Sequence, residues 1–338
     1  MKTLSEFTTD MCVLSEDARE YLEEKLIKIG RGQPYGQIVF LAGGAGSGKG
    51  FASSNFMESD KFKVRDVDEW KKALIALSKI SKTFKMDTLV SKYGDKIKKE
   101  FPKAWEIMER EIIGKMELSG LQLKNPNHVF VLHAVSDVMG IKDKTLGNLL
   151  KDLKQGRLPN VMFDITAKNV NTLKKVIPTL QEQGYEAKNI NLVWVLTNYN
   201  VAVDNNRGRE RVVPEDILLQ THEGAANTVY DMVTKNSLGR QYLDGGMYVI
   251  LNNRENTIYF TTGDTKETIR SGEQAPGEKI TVKDKKGKDK AVIKSFTYLT
   301  VKEPGKPVKK EKAVLDQLLD WIKSNIPKTK ATMDIFGK

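Results

Sequence analysis

Residues 38–50 read IVFLAGGAGSGKG, and the reading of this stretch, Ile38 to Gly50, decides the fold. The run from Gln37 to Leu41 is apolar and β-branched, the composition of a strand covered on both faces, and it leads straight into the glycine cluster Gly43 to Gly50. That cluster fits G-x-x-x-x-G-K, and it sits between a strand and a helix start, where a phosphate-binding loop must sit. Glycines let consecutive backbone N–H groups point at a phosphate, the helix N-terminus adds the positive end of its dipole, and the lysine reaches the β and γ phosphates. Gly43, Gly44, Ala45, Gly46, Ser47, Gly48, Lys49, Gly50 and Phe51 are therefore the expected nucleotide-binding residues. A plain glycine-rich turn between strand and helix is the alternative. Gly50 and then Phe51 stand where most such loops carry Ser or Thr, so the usual hydroxyl ligand for Mg²⁺ is absent. Ser53 and Ser54, one turn on, offer water-mediated contacts or simple capping.

Working outward, strand and helix alternate. Phe62 to Val67 reads as a second short strand, leading into a helix from about Asp68 to Lys79. Asn160 to Asp164 is an apolar strand ending in a carboxylate, followed by a helix from Asn171 to Gln183 and a strand from Leu192 to Leu196. This βαβ spacing predicts an α/β fold of the P-loop NTPase kind, a parallel sheet flanked by helices. Residues 81–155 are helical by pattern and lysine-rich, and read as a helical insertion. Val213 to Lys235 reads as a helix, and Tyr248 to Thr261 as a hairpin turning around Asn253 to Asn256. The expected organisation is a helical lead-in at 1–35, a P-loop domain at 36–265 interrupted by the insertion, and a small, basic, β-rich module with a closing helix at 266–338.

With 338 residues the chain can bury a real core, and 39% hydrophobic against 29% charged residues is a globular composition. The formal net charge of +11 favours acidic partners. Most of the surplus lies between Glu278 and Lys312, where twelve Lys face five acids. Cys12, the single cysteine, excludes an intramolecular disulfide and points to a reducing, cytoplasmic setting. The opening MKTLSEFTTD has no apolar leader, and no apolar run approaches the ~20 residues a bilayer span needs, so no membrane partner is expected.

Asp66 and Asp68, in VRDVDEWKK, fall at the end of the second strand, on the edge where an open α/β sheet forms its binding crevice. Either is placed to accept the proton of an attacking hydroxyl; Asp68 equally suits the cap of the helix that follows it. Asp164, at the end of NVMFD, has the form of a strand-end carboxylate that holds a metal-bound water, or of a simple turn former. Arg207, Arg209 and Arg211, before Val213 and Pro214, form either a cationic lid or a solvated face. His128, His133 and His222 show no metal spacing and read as structural or surface residues.

These motifs resemble known families. LAGGAGSGKG resembles the loop of adenylate kinases, which also place glycine after the lysine, although Phe51 stands where their threonine follows. The Asp68 to Lys71 stretch DEWK resembles the pattern of polynucleotide kinases and the related zeta toxin kinases, which places Asp68 ahead of Asp66 as base. Asp164-x-Thr166, the later Gly184-Tyr185, the arginines before Val213-Pro214 and the pair Asn252-Asn253 are similar to zeta toxin features, though a hairpin turn accounts for that pair equally well. The resemblance spans about Ile38 to Asp216. It implies an ATP- and Mg²⁺-dependent kinase with Lys49 and the loop on the phosphates, Asp68 as base, Asp164 on the metal and an arginine clamp. The expected acceptor is a hydroxyl of DNA or RNA, which the basic C-terminal stretch favours, or of a nucleotide or nucleotide sugar, which the zeta toxin resemblance favours. The alternative is an ATP-dependent switch that acts on a macromolecular partner, a reading Gly50 supports.

Overall fold

The computed structural model describes residues 27, 29, 35–57, 61–65, 69–141, 144, 158–209, 212–283 and 289–337. Most of the expected lead-in, the end of the insertion, and Asp66, Asp68 and Arg211 lie outside the described residues.

Strand β1, Ile38–Ala42, is buried at all five positions. Its side chains alternate between two cores, as the two-residue period of a strand requires. Ile38, Phe40 and Ala42 join one cluster, and Val39 and Leu41 join another on the opposite face. Strand β4, Ile190–Leu196, repeats the pattern with seven buried residues, sending Leu192, Trp194 and Leu196 to the first core and Val193 and Val195 to the second. Helices Val170–Glu182, Glu215–Thr234 and Lys312–Asn325 cover the first face. Helix Lys49–Phe56 covers the second, through Ala52 and Phe56. Complete burial of each large apolar side chain here contributes about 1.5–3 kcal/mol.

The main sheet has seven strands in the order β2-β3-β1-β4-β5-β9-β6. Here β2 is Lys63–Arg65, β3 is Val161–Asp164, β5 is Met247–Leu251, β6 is Thr257–Tyr259 and β9 is Ile293–Lys302. The five strands from β2 to β5 are parallel. From β1 the chain crosses toward β2, and from β4 toward β5, so the sense of winding changes between β1 and β4. The crevice beyond the C-terminal ends of those two strands is where open α/β sheets bind ligands. The expected parallel α/β sheet flanked by helices is therefore present.

Three expectations are corrected. Tyr248 to Thr261 is not a hairpin: β5 and β6 each pair with β9, which runs antiparallel between them. A period-two pattern marks strands without naming their partners, and the turn at Arg254–Asn256 carries β6 past β5, leaving room for β9. The C-terminal portion from 266 is not set apart from the P-loop domain either, because β9 lies within the main sheet and Leu318 and Ile322 of the closing helix join the first core. Only β7, Thr281–Lys283, and β8, Asp289–Ala291, form a separate two-stranded ribbon. The insertion, finally, begins one helix earlier than 81. Leu74, on helix Glu69–Ile80, packs with Met86, Leu89, Ile97, Met108 and Leu132 in a core of the insertion's own. Proline at the first position of helices Pro102–Ile107 and Pro126–Val138 starts each at no cost in hydrogen bonds, and Asn125 caps the second by accepting from the Asn127 amide at 2.9 Å.

Candidate phosphate-binding site

The glycine loop leaves β1 with Gly43, Gly46 and Gly48 at φ +151°, +75° and +81°, in the region that favours glycine. Its walls leave no room for side chains. A Cβ on Gly46 would lie 2.3 Å from the Ala202 carbonyl oxygen, and one on Gly48 2.3 Å from Asn252 Nδ2. At Gly44 it would lie 2.2 Å from the His222 ring. Four elements thus press on the loop: β4 through Val195, helix Tyr199–Arg207, helix Glu215–Thr234 and the end of β5.

The same elements hold the loop carbonyls. His222 Nε2 donates to Ala45 O at 2.8 Å, Asn205 Nδ2 to Gly46 O at 3.0 Å and Asn252 Nδ2 to Ser47 O at 2.8 Å. Thr221 Oγ1 accepts from the Ala45 amide at 3.1 Å, so two adjacent residues of one helix grip both sides of residue 45. The Ser47 amide donates within the loop, to Gly44 O at 3.2 Å; helix Lys49–Phe56 begins at Gly48 with no side-chain cap, which leaves its first-turn N–H groups for a ligand.

Lys49 closes the floor. Its Nζ donates to Gly43 O at 2.9 Å and Gly44 O at 3.3 Å and faces Asp164 Oδ1 at 3.5 Å. Strand register explains the meeting, because Asp164 on β3 is the partner of Leu41 on β1, two residues before the loop. Arg65 ends β2 opposite Phe163 and lays its guanidinium 5.3 Å from that ring, so the chain leaves β2 at this same edge of the sheet.

His222 is 2% exposed. Burial, joined by the charge of Lys49 and opposed by the bond to Ala45 O, pushes its pKa down to about 4. A neutral ring carrying its proton on Nε2 is the form that donates to a carbonyl. Tyr199 meets the ring edge-on at 5.7 Å and completes its cage.

The expected site residues divide into three groups. Gly43 to Lys49 and Asp164 come together. Arg207 and Arg209 are exposed, and Arg207 holds Glu215 at 3.0 Å. Asp66, Asp68 and Arg211 lie outside the described residues. Gly50 has open space around its Cα, and Phe51 is 40% exposed, with its ring edge against Phe56. Ser53 donates to Gly50 O at 3.1 Å, a helix-turn bond. Tyr185 is an anchor: its hydroxyl donates to Pro159 O at 2.8 Å, and burial pushes its pKa up to about 12. His128 accepts from the Gln122 amide and His133 pairs with Asp137, structural uses both. Asn205 and Thr221 carry no signal in the sequence, and His222 reads as structural or surface there. Asn252 stood out only as half of a pair, and its place on the loop comes from β5 lying beside β4.

No family model matches the chain, and no curated protein matches it. Among solved structures, one from the PezAT chromosomal toxin-antitoxin system of the human pathogen Streptococcus pneumoniae is similar at a TM-score of 0.35 and 13% identity, over 75% of this chain and 80% of that one. The AvrRxo1-ORF1:AvrRxo1-ORF2 complex with sulphate ions is similar at a TM-score of 0.36 and 11% identity, over 94% and 77%. The same complex with ATP gives 0.36 and 10%, over 94% and 77%. These TM-scores carry no argument, and the class of fold, a mostly parallel α/β sheet with a glycine-rich loop after β1, rests on strand order and register.

Proposed function

We propose that this protein is a P-loop phosphotransferase that moves the γ-phosphate of ATP to a hydroxyl of a nucleic acid, a nucleotide or a nucleotide sugar. The observation that carries the reading is the loop itself, held open by His222, Asn205 and Asn252 with Lys49 facing Asp164 beneath it. The residues fit a triphosphate, since the carbonyls of Ala45, Gly46 and Ser47 are held by neighbouring elements and Gly43, Gly44, Gly46 and Gly48 admit no Cβ. Lys49 exchanges the Gly43 and Gly44 carbonyls for phosphate oxygens. Asp68, in preference to Asp66, takes the proton of the attacking hydroxyl, and one or more of Arg207, Arg209 and Arg211 balance charge on the transferred group. Arg207 reaches a phosphate by exchanging Glu215 for a stronger anion.

Mg²⁺ fits the site on one carboxylate. It keeps several waters and needs only one or two carboxylates beside the phosphates, and Asp164, 29% exposed next to Lys49, is placed to hold one of those waters. When bound, the ion neutralises phosphate charge. Gly50 brings no hydroxyl to it, and among the described residues no group of three acidic, His or Cys side chains forms a self-sufficient metal cage. No described helix is long and apolar enough to cross a membrane.

The test is a screen of DNA, RNA, nucleosides and nucleotide sugars with γ-labelled ATP. Label on one class identifies the acceptor; ATP hydrolysis without label on any of them overturns the kinase reading in favour of a switch. That second reading draws on the contact between lid and insertion, where the Val212 amide donates to Leu123 O at 3.0 Å and Lys103 meets Asp216 at 3.6 Å. A partner on the insertion is thereby linked to the segment beside the loop.

A further inference from the structure

The second face of the sheet carries an aromatic surface that begins at Phe51, two residues after Lys49. Four aromatic rings form one continuous chain of contacts across it. Phe51 meets Phe56 edge-on at 5.4 Å, Phe56 stacks on Phe296 at 4.1 Å and 14°, and Phe296 stacks on Tyr298 at 5.4 Å. Phe56 is fully buried, yet the two end members, Phe51 and Tyr298, are each 40% exposed. They are two of the six large hydrophobic side chains exposed among the described residues, so the row of rings brings to its ends what the rest of the surface avoids.

Two cations lie on the same face, where Tyr259 and Phe296 pack in one cluster. Lys279 holds its ammonium 3.7 Å from the Tyr259 ring centroid, and Lys290 reaches from β8 to Ser54 O at 2.9 Å, one turn beyond Phe51. Lys283, on the same ribbon, pairs with Asp289 at 2.7 Å. The register fixes where this surface lies. Thr297 pairs with Leu251, the last residue of β5, so Ile293 to Phe296 project past the C-terminal end of β5 to pair with β6. That is the edge at which β1 delivers the phosphate loop.

We propose that this surface binds single-stranded nucleic acid, with bases stacking on Tyr298 and Phe51 and backbone phosphates on Lys279 and Lys290. Exposed aromatic faces flanked by cations suit this partner, because every base has a π-face and every linkage a negative charge. A duplex hides its base faces, which is why the strand is single. The surface is independent of phosphotransfer and binds whether or not ATP is turned over.

The test is fluorescence anisotropy of ATP-free protein with labelled oligothymidylate of about 20 nucleotides and with a duplex of equal length. The single strand should bind more tightly than the duplex and weaken as salt rises. Tyr298→Ala should weaken it about tenfold while Tyr298→Phe restores it, as stacking requires, and Lys279→Glu with Lys290→Glu should lower the salt slope by about 2. Equal affinity for duplex, unchanged affinity in a folded Tyr298→Ala protein, or no binding at all overturns the proposal.

Discussion

The loop after β1 and the strand β9 both draw lysines out of solvent, with opposite outcomes. On β9, Lys294 is wholly buried and meets Asp264 at 2.7 Å, the Thr268 carbonyl at 3.2 Å and the Glu273 carbonyl. Lys302, at the other end, is satisfied by Asp244 Oδ1 at 3.1 Å and the carbonyls of Asp244 and Gly245. Those are closed sets. Burial pushes the Asp264 carboxyl up, yet bonds from Lys294, the Thr261 amide and Thr268 outweigh it and hold the group below its ordinary range. Arg240 and Lys302, against a smaller opposing push from burial, do the same for Asp244. Lys49, by contrast, remains 12% exposed, lies 3.5 Å from Asp164 and among the described residues otherwise bonds only loop carbonyls. A lysine whose shell is complete within the protein holds the fold together, whereas one with loose partners beside uncapped amides awaits a ligand.

Breaking the comparison at its functional end should give the largest effect. Lys49→Ala is expected to lower phosphate transfer by about 10²–10³-fold with an unchanged melting temperature; full transfer activity in that variant would sink the assignment. At the structural end, Lys294→Ala strands a buried carboxylate and should cost about 3–5 kcal/mol in urea unfolding. A midpoint matching the parent would show that Lys294 is not a fold-holding charge.

Smaller changes sharpen the picture. Gly46→Ala combines φ +75° with a Cβ 2.3 Å from the Ala202 carbonyl, so ATP affinity measured by calorimetry should fall about tenfold, from a strain of about 1–2 kcal/mol. The His222 grip should appear as pH dependence. Its folded pKa, about 4, lies below the ordinary 6.5, so the unfolded chain takes up the proton first. The stability it contributes is complete above pH 6.5 and is lost as pH falls toward 4, by up to about 3 kcal/mol. His222→Gln keeps a donor without that proton, and its urea midpoint should change less than the parent's between pH 7 and 5; parallel changes would exclude His222 as the source.

Much of the first end was legible in the residues. The apolar run at Ile38, the glycine spacing and Lys49 act through local geometry, which is encoded locally. Asp164 was legible for the same reason, as the carboxylate that ends an apolar strand. The other end was not. The twelve lysines from Glu278 to Lys312 counted as one basic tract, yet Lys294 and Lys302 are core residues while Lys279 is exposed. Charge in a sequence carries no depth, and depth here follows from β9 entering the sheet between β5 and β6.

The sequence by itself determined a parallel α/β sheet and a glycine loop between strand and helix, because periodicity, glycine placement and the strand-loop-helix order act over a few residues. Only the tertiary structure decided what surrounds that loop. Asn205, Thr221, His222 and Asn252 meet residues 45–47 across 159 to 205 positions of chain. Contacts at such separations depend on which strands lie side by side, and strand order is fixed by the packing of two cores against one sheet.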